Sequence, residues 1–300
     1  MVKTPKFGDF MNKFIIATEN TCDLPSSLLE ELGVKVINLH YYLDGVEYLP
    51  GEYNKEDFYK KLRAGQIGST SQPNAYEFEA FFRSFLDQGY DVLELCFSSV
   101  LSGTYNNAVA VSKRISKDYP NQKLLILDTK SQSAGQGLIV YLVSQYAKDG
   151  RSIDECYAYA ESIIEKVNHV FTIDDLRSLA RTGRVSNAEA FFGNLLQIKP
   201  ALFTSKEGYL TPSLKLFSRK LALRTLCDKV KARYNGLSNK IFITHSDCLE
   251  DAEKVKKMLS TIEGVEIEIF DLGPVIGCHT GADTIAIFFT ADERKPLYLI

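Results

Sequence analysis

Between Phe14 and about Gly150 the 300-residue chain alternates short apolar runs with longer segments whose apolar residues recur at helical spacing. That alternation constrains the fold more than any other feature, because parallel strands need crossovers long enough to hold a helix, and the result is a series of βαβ units around a mainly parallel sheet. The runs Phe14 to Thr18, Val34 to Leu39, Val92 to Phe97 and Leu124 to Leu127 read as strands, and Asp44-Gly45 inside Tyr41 to Tyr48 predicts a hairpin turn. Pro73 suits a first helical turn, after which Phe78, Phe81, Phe82, Phe85 and Leu86 form a stripe expected to face the sheet as core.

After about Val170 the texture changes. Asp174 to Arg181 and Ala188 to Gln197 read as helices, and Pro200 to Phe203 with Tyr209 to Leu216 read as a hairpin turning at Glu207-Gly208. A helix from about Lys220 to Tyr234, a strand at Ile241 to Thr244, a helix at Leu249 to Leu259 and strands at Val265 to Phe270 and Thr284 to Thr290 complete a mixed α/β pattern. The expected division is an N-terminal arm over 1–13, an α/β domain over 14–168 and a mixed α/β domain over 169–300. With no repeat, low-complexity tract or Gly/Ser linker between them, the two halves are expected to pack closely and enclose a cleft.

Charge and composition exclude several function classes. A formal net charge of −3 and a pI near 5.9 lack the basic excess that drives nucleic-acid binding. No apolar run approaches the ~18 residues of a spanning helix, and Met1 to Lys13 has no apolar signal core, so the expectation is a cytoplasmic protein. Cys22, Cys96, Cys156, Cys227, Cys248 and Cys278 are scattered without a C-x-x-C, as in a chain with reduced thiols.

Polar residues gather where the strands end. Thr18 to Thr21, Ser98 to Thr104 and Asp128 to Gln132 each follow a strand, and ligands of open parallel sheets settle there. A helix beginning after Gly103 would aim free N–H groups at the same place, which favours an anion of modest charge. There is no phosphate loop, and Gly135-Gln136-Gly137 lacks the third glycine of the dinucleotide fingerprint. His40, His169, His245 and His279 share no ligand spacing and Asp174-Asp175 reads as a solvated helix start, so neither a metal nor a cofactor is expected.

Four strings occur in order: Thr70-Ser71-Gln72-Pro73, then Ser98 to Tyr105, then Leu176 to Arg184 ending Thr182-Gly183-Arg184, then Gly273 to Gly281, with Ile198-Lys199-Pro200 between the third and fourth. Together they resemble the DegV family of fatty-acid-binding proteins, over nearly the whole span from Phe14 to about Thr290. The resemblance implies two dissimilar α/β domains, an N-terminal three-layer parallel-sheet domain and a C-terminal two-layer mixed-sheet domain. It also implies an acyl tunnel between them and no catalysis by the chain itself. A separate fatty acid kinase subunit would phosphorylate the bound long-chain acid, and the acyl phosphate would feed phospholipid synthesis through membrane contact that is transient at most.

Carried over by position, Thr70 and Ser102 match the hydroxyls that hold the fatty-acid carboxylate, while His279, Arg184 and Arg219 match head-group or kinase-facing positions. Hydroxyl donors can hold a carboxylate while leaving its oxygen nucleophilic. The family's usual Asp-Ser after the first strand is here Glu19-Asn20, which requires different hydrogen bonds. Simpler roles stand beside these: a helix cap for Thr70 and Ser71, a turn for Ser102, a structural histidine for His279 and surface ion pairs for the arginines. Two other functions are weighed. A serine hydrolase would use Ser102 with His279 and Asp128 or Asp271, although Ser102 lacks the G-x-S-x-G elbow. A module for a short polar ligand would need only a small, wet cleft.

Overall fold

A computed structural model gives the architecture, and the structure describes residues 13–48, 52–174, 176–185 and 198–299. Strands β1 (Phe14–Glu19), β2 (Lys35–Ile37), β6 (Asp91–Cys96) and β7 (Leu124–Asp128) form an all-parallel sheet in the order β2-β1-β6-β7. Strands β3 (His40–Leu43), β4 (Val46–Tyr48) and β5 (Gly68–Ser71) form a small antiparallel sheet, with Asp44 and Gly45 both at positive φ in its hairpin turn. Strands β8 (Val167–Thr172), β9 (Lys199–Thr204), β10 (Leu210–Leu216), β11 (Lys240–His245), β12 (Glu266–Asp271) and β13 (Ile285–Thr290) form a mixed sheet in the order β10-β9-β8-β13-β11-β12. Only β11 and β12 run parallel within it.

The chain is therefore α/β, with a parallel sheet covered on both faces and a mixed sheet backed by helices. The helices Ala75–Leu86 and Thr104–Ile115 cover one face of the parallel sheet through Phe78, Phe82, Ala108 and Val111. The helix Ala134–Lys148 packs on the other face and also on β8, β11 and β13, so it lies between the two large sheets. Its Leu138, Ile139, Val140 and Val143 are fully buried, and this makes one continuous core out of the two sheets. On the far side of the mixed sheet lie the helices Arg219–Arg233 and Leu249–Leu259. Strand β13 shows the period of two that this layering demands: Ile285, Ile287 and Phe289 face those outer helices, while Ala286 and Phe288 face the shared core.

Several expectations shift in detail. Pro73 lies ahead of the helix instead of in its first turn, because Asn74 and Glu77 form a reciprocal capping box that starts the helix at Ala75. Thr70 and Ser71 form no cap; they pair with Tyr41 and His40 as the edge of the small sheet. Strand β8 escapes the sequence reading because Asn168 and His169 break its apolar run, yet all six of its residues are buried. Of the segment Asp174 to Arg181, the described helix is Arg177–Arg181. The expected arm up to Asn12 and the expected helix Ala188 to Gln197 fall outside the described residues. No helix among the described residues is long and apolar enough to cross a membrane.

Candidate functional site

Beyond the carboxyl ends of the parallel strands, the structure holds a cavity of about 50 Å³. Phe97 and Leu101 reach it from the segment after β6, and Gln132 and Ser133 from the segment after β7. Phe171, Leu210, Ala286 and Phe288 line it from the inner face of the mixed sheet, and Leu272, Ile276, His279 and Thr280 from the helix Pro274–Thr280 and its lead-in. At that size it holds a few water molecules, and a longer ligand would enter only as its walls part. A concave, mostly apolar wall with a few convergent polar groups is the usual form of a small-molecule site.

The polar end is built where the small sheet meets the helix Pro274–Thr280. Gly68 allows that meeting, since a Cβ there would lie 2.7 Å from Cys278 Cα. Two residues along β5, Thr70 Oγ1 sits 2.8 Å from His279 Nε2. The other ring nitrogen, Nδ1, is buried and has no partner among the described residues. Burial first, and the cations of Arg184 and Arg181 second, push the His279 pKa down to about 4, so the ring is neutral at pH 7. An unmatched buried ring nitrogen costs on the order of 1–3 kcal/mol unless a ligand meets it.

Arg184 joins the cavity wall, with Nε donating to Leu101 O at 3.3 Å and Nη1 donating to Thr182 O. No carboxylate among the described residues pairs with it. Ser102 stands next to the wall residue Leu101 and turns away to the helix that follows: its Oγ lies 2.7 Å from Thr104 Oγ1 and accepts from Thr104 N. His279 and Arg184 thus line the cavity, Thr70 reaches it through His279, and Ser102 lies in the adjoining turn.

Arg219 does not join them. It lies on the far side of the mixed sheet, donates from Nε to Asp251 Oδ2 at 2.8 Å, and lines a separate groove with Lys220, Arg224, Lys254 and Lys257. The hydrolase arrangement is not assembled either. Ser102 bonds Thr104, His279 bonds Thr70, Asp128 accepts from Ser99, and Asp271 pairs with Lys55 and His245.

Two polar groups gave no sequence signal. Ser133, at φ 51°, donates to Asp23 Oδ2 at 2.5 Å, and Gly273 N donates to Asp23 Oδ1 at 3.0 Å. Burial raises Asp23 to about 7 against these two hydrogen bonds. Asp23 thereby ties the cavity wall after β7 to the lead-in of the helix bearing His279, a link between residues 250 positions apart. The departure at Glu19-Asn20 is accommodated nearby. Glu19 Oε2 accepts from Phe97 N and Gln136 Nε2, while Asn20 brackets the Leu39 backbone with one donated and one accepted bond.

The family model described as "Uncharacterised protein, DegV family" matches residues 13–292. A DegV domain-containing protein of Clostridium perfringens is 40% identical over 291 residues, which span 95% of this chain and 100% of that one. A fatty-acid-binding DegV family protein of Streptococcus agalactiae superposes with a TM-score of 0.82 at 29% identity, over 94% of this chain and 100% of the other. A DegV family protein of Thermus thermophilus, described by its fatty acid binding, gives a TM-score of 0.82 at 27% identity, over 93% and 99%.

Proposed function

The chain belongs to the DegV family, and from that premise we propose that it binds a long-chain fatty acid, with the acyl chain in the channel and the carboxylate at Thr70, Ser102 and His279. The observation that carries this reading is the neutral His279 lining a mostly apolar cavity, with one nitrogen on Thr70 and the other unmatched. A carboxylate accepting from Nδ1–H and from Ser102 would supply the missing partner, with Thr70 donating to Nε2 and so fixing that tautomer, and without a bidentate arginine clamp, which would quench the oxygen needed for later chemistry. Burying about 14 methylenes at ~0.8 kcal/mol each contributes about 11 kcal/mol before ordering costs, so the apolar wall supplies affinity and the polar end supplies orientation.

In this reading the protein is a cytoplasmic carrier with two domains meeting near residues 168–169. A separate fatty acid kinase phosphorylates the exposed carboxylate oxygen, and the acyl phosphate passes to phospholipid synthesis. Arg184, beside the cavity end, suits the phosphate group, whereas Arg219, on the far side, would act through kinase contact. The test pairs fatty-acid binding with phosphate transfer from ATP by the fatty acid kinase of the same cell. Thr70→Ala, Ser102→Ala and His279→Ala should weaken binding, while Arg219→Ala should bind lipid and lose turnover. Equal loss of binding in all four would refute the division of roles.

A further inference from the structure

The parallel sheet has a second group of reactive side chains, away from the cavity's polar end. Its strand order places β1 beside β6, with β2 on one flank and β7 on the other, so the chain's winding reverses between β1 and β6. Alternation within β6 points Val92, Glu94 and Cys96 to one face, and the register sets Ala17 opposite Glu94 and Thr18 opposite Leu95. One step further along, Glu19 comes level with Cys96 on the same face as Ala17. Ala17, Val92 and Cys96 all join the core beneath the helices Ala75–Leu86 and Thr104–Ile115, which identifies that face.

The ligating atoms of Glu19, Glu94 and Cys96 lie within 4.8 Å of one another, and all three residues are fully buried. Neither oxygen of Glu94 has a hydrogen-bond partner, nor does Oε1 of Glu19. Glu19 is held from behind, since its Oε2 accepts from Phe97 N at 2.9 Å and from Gln136 Nε2 at 2.6 Å, leaving Oε1 for the cluster. Two unmatched oxygens on Glu94, beside a Glu19 carboxylate whose cluster partner is the Cys96 thiol, call for a cation or protons in this buried spot.

We propose that Glu19, Glu94 and Cys96 form a buried site for one divalent cation of the zinc class, at the reversal point between β1 and β6. The donor set selects the class: carboxylate oxygens with one sulfur suit zinc and its relatives and disfavour calcium and magnesium, which take oxygen alone. Zinc bonds of about 2.0–2.3 Å in a tetrahedron separate ligand atoms by roughly 3.3–3.8 Å, so side-chain torsions need draw the three groups in by about 1.5 Å at most. The hydrogen bonds on Glu19 Oε2 supply the outer support that metal-binding carboxylates need. A bound cation needs both carboxylates and the Cys96 thiol deprotonated, so its entry would displace their protons. Its enclosure means loading during folding and slow exchange afterwards. Spacing along the chain could not reveal this site, because Glu19 reaches the other two only through strand pairing.

The test uses the full chain, refolded from denaturant with Co²⁺, desalted, and read by elemental analysis and near-ultraviolet absorption. The proposal expects one retained cobalt per chain and a thiolate-to-cobalt charge-transfer band. Cys96→Ser should abolish the band, and Glu94→Gln should lower retained metal by about 10-fold or more. Circular dichroism establishes that each variant is folded, and Glu94→Leu provides an apolar substitute should Glu94→Gln fail to fold. A wild type that keeps no cobalt, or whose band survives in Cys96→Ser, overturns the proposal. So does a Glu94→Leu variant that is more stable than wild type refolded with cobalt, since Glu94 would then be an ordinary protonated core residue.

Discussion

Replacing Ala286 with phenylalanine should obstruct the proposed acyl channel without touching its polar end. Ala286 faces the cavity from β13, between the wall residues Phe171 and Phe288, and its methyl group leaves room that a ring would occupy. If the ring displaces about five methylenes of a bound chain, at ~0.8 kcal/mol each, the loss is about 4 kcal/mol, or close to a 1,000-fold rise in Kd. A short acid that never reaches the ring should lose almost nothing, so the ratio of long-chain to short-chain affinity should collapse. Competition against a fluorescent fatty acid, run over a series of chain lengths, measures that ratio. Thermal melting supplies the control, because overpacking a buried position costs about 1–3 kcal/mol and the variant must stay folded at the assay temperature. Ala286→Phe protein that melts normally and binds the long acid with unchanged affinity would refute the placement of the acyl chain.

Three further outcomes follow from the site and its supports. Thr70→Val removes the hydroxyl from His279 Nε2 and should weaken fatty-acid binding by about 10- to 150-fold, the worth of one hydrogen bond to a charged group, in the same competition assay. His279 titrates at about 4 in the fold, below its ordinary value, so the unfolded chain takes up a proton first as pH falls. Its contribution to stability is therefore complete above about pH 6.5 and is lost on descending toward pH 4, and urea titrations at pH 7 and pH 5 should show a wild-type loss on the order of 1–2 kcal/mol beyond that of His279→Gln. Gly68→Ala would set a methyl group 2.7 Å from the Cys278 backbone, which cannot rotate away, and should cost about 1–3 kcal/mol in denaturant unfolding.

What the sequence discloses follows the physics of each element. Strands β1, β6 and β7 announce themselves because a parallel sheet buried on both faces needs unbroken apolar runs, and the Phe78/Phe82 stripe is legible because the helix lies on that sheet. Strand β8 is hidden because Asn168 and His169 are accommodated at the centre of a mixed sheet, with buried Arg294 reaching His169 Nε2 at 3.4 Å. At the site, Thr70, Ser102, Arg184 and His279 are found through the family's motifs, which carry no geometry. That Thr70 bonds His279 while Ser102 bonds Thr104 depends on the approach of β5 to the helix Pro274–Thr280, a contact between residues some 209 positions apart. Arg219 matches a motif position equally well and lies behind the mixed sheet, so position in a motif does not give position in space. Asp23 and the Glu19–Glu94–Cys96 group emerge only once chain pairing has joined distant segments.

The central claim, that the channel carries a long-chain fatty acid, is tested most directly by native mass spectrometry of freshly purified protein, followed by denaturation and identification of any released lipid. An acyl chain buried between these walls can leave only as they part, so it should exchange slowly and stay bound through purification. The account predicts a stoichiometric adduct whose released component is a free long-chain fatty acid. Protein that carries no adduct and takes up no added fatty acid would contradict it, leaving the fold intact and the cavity to a short polar ligand.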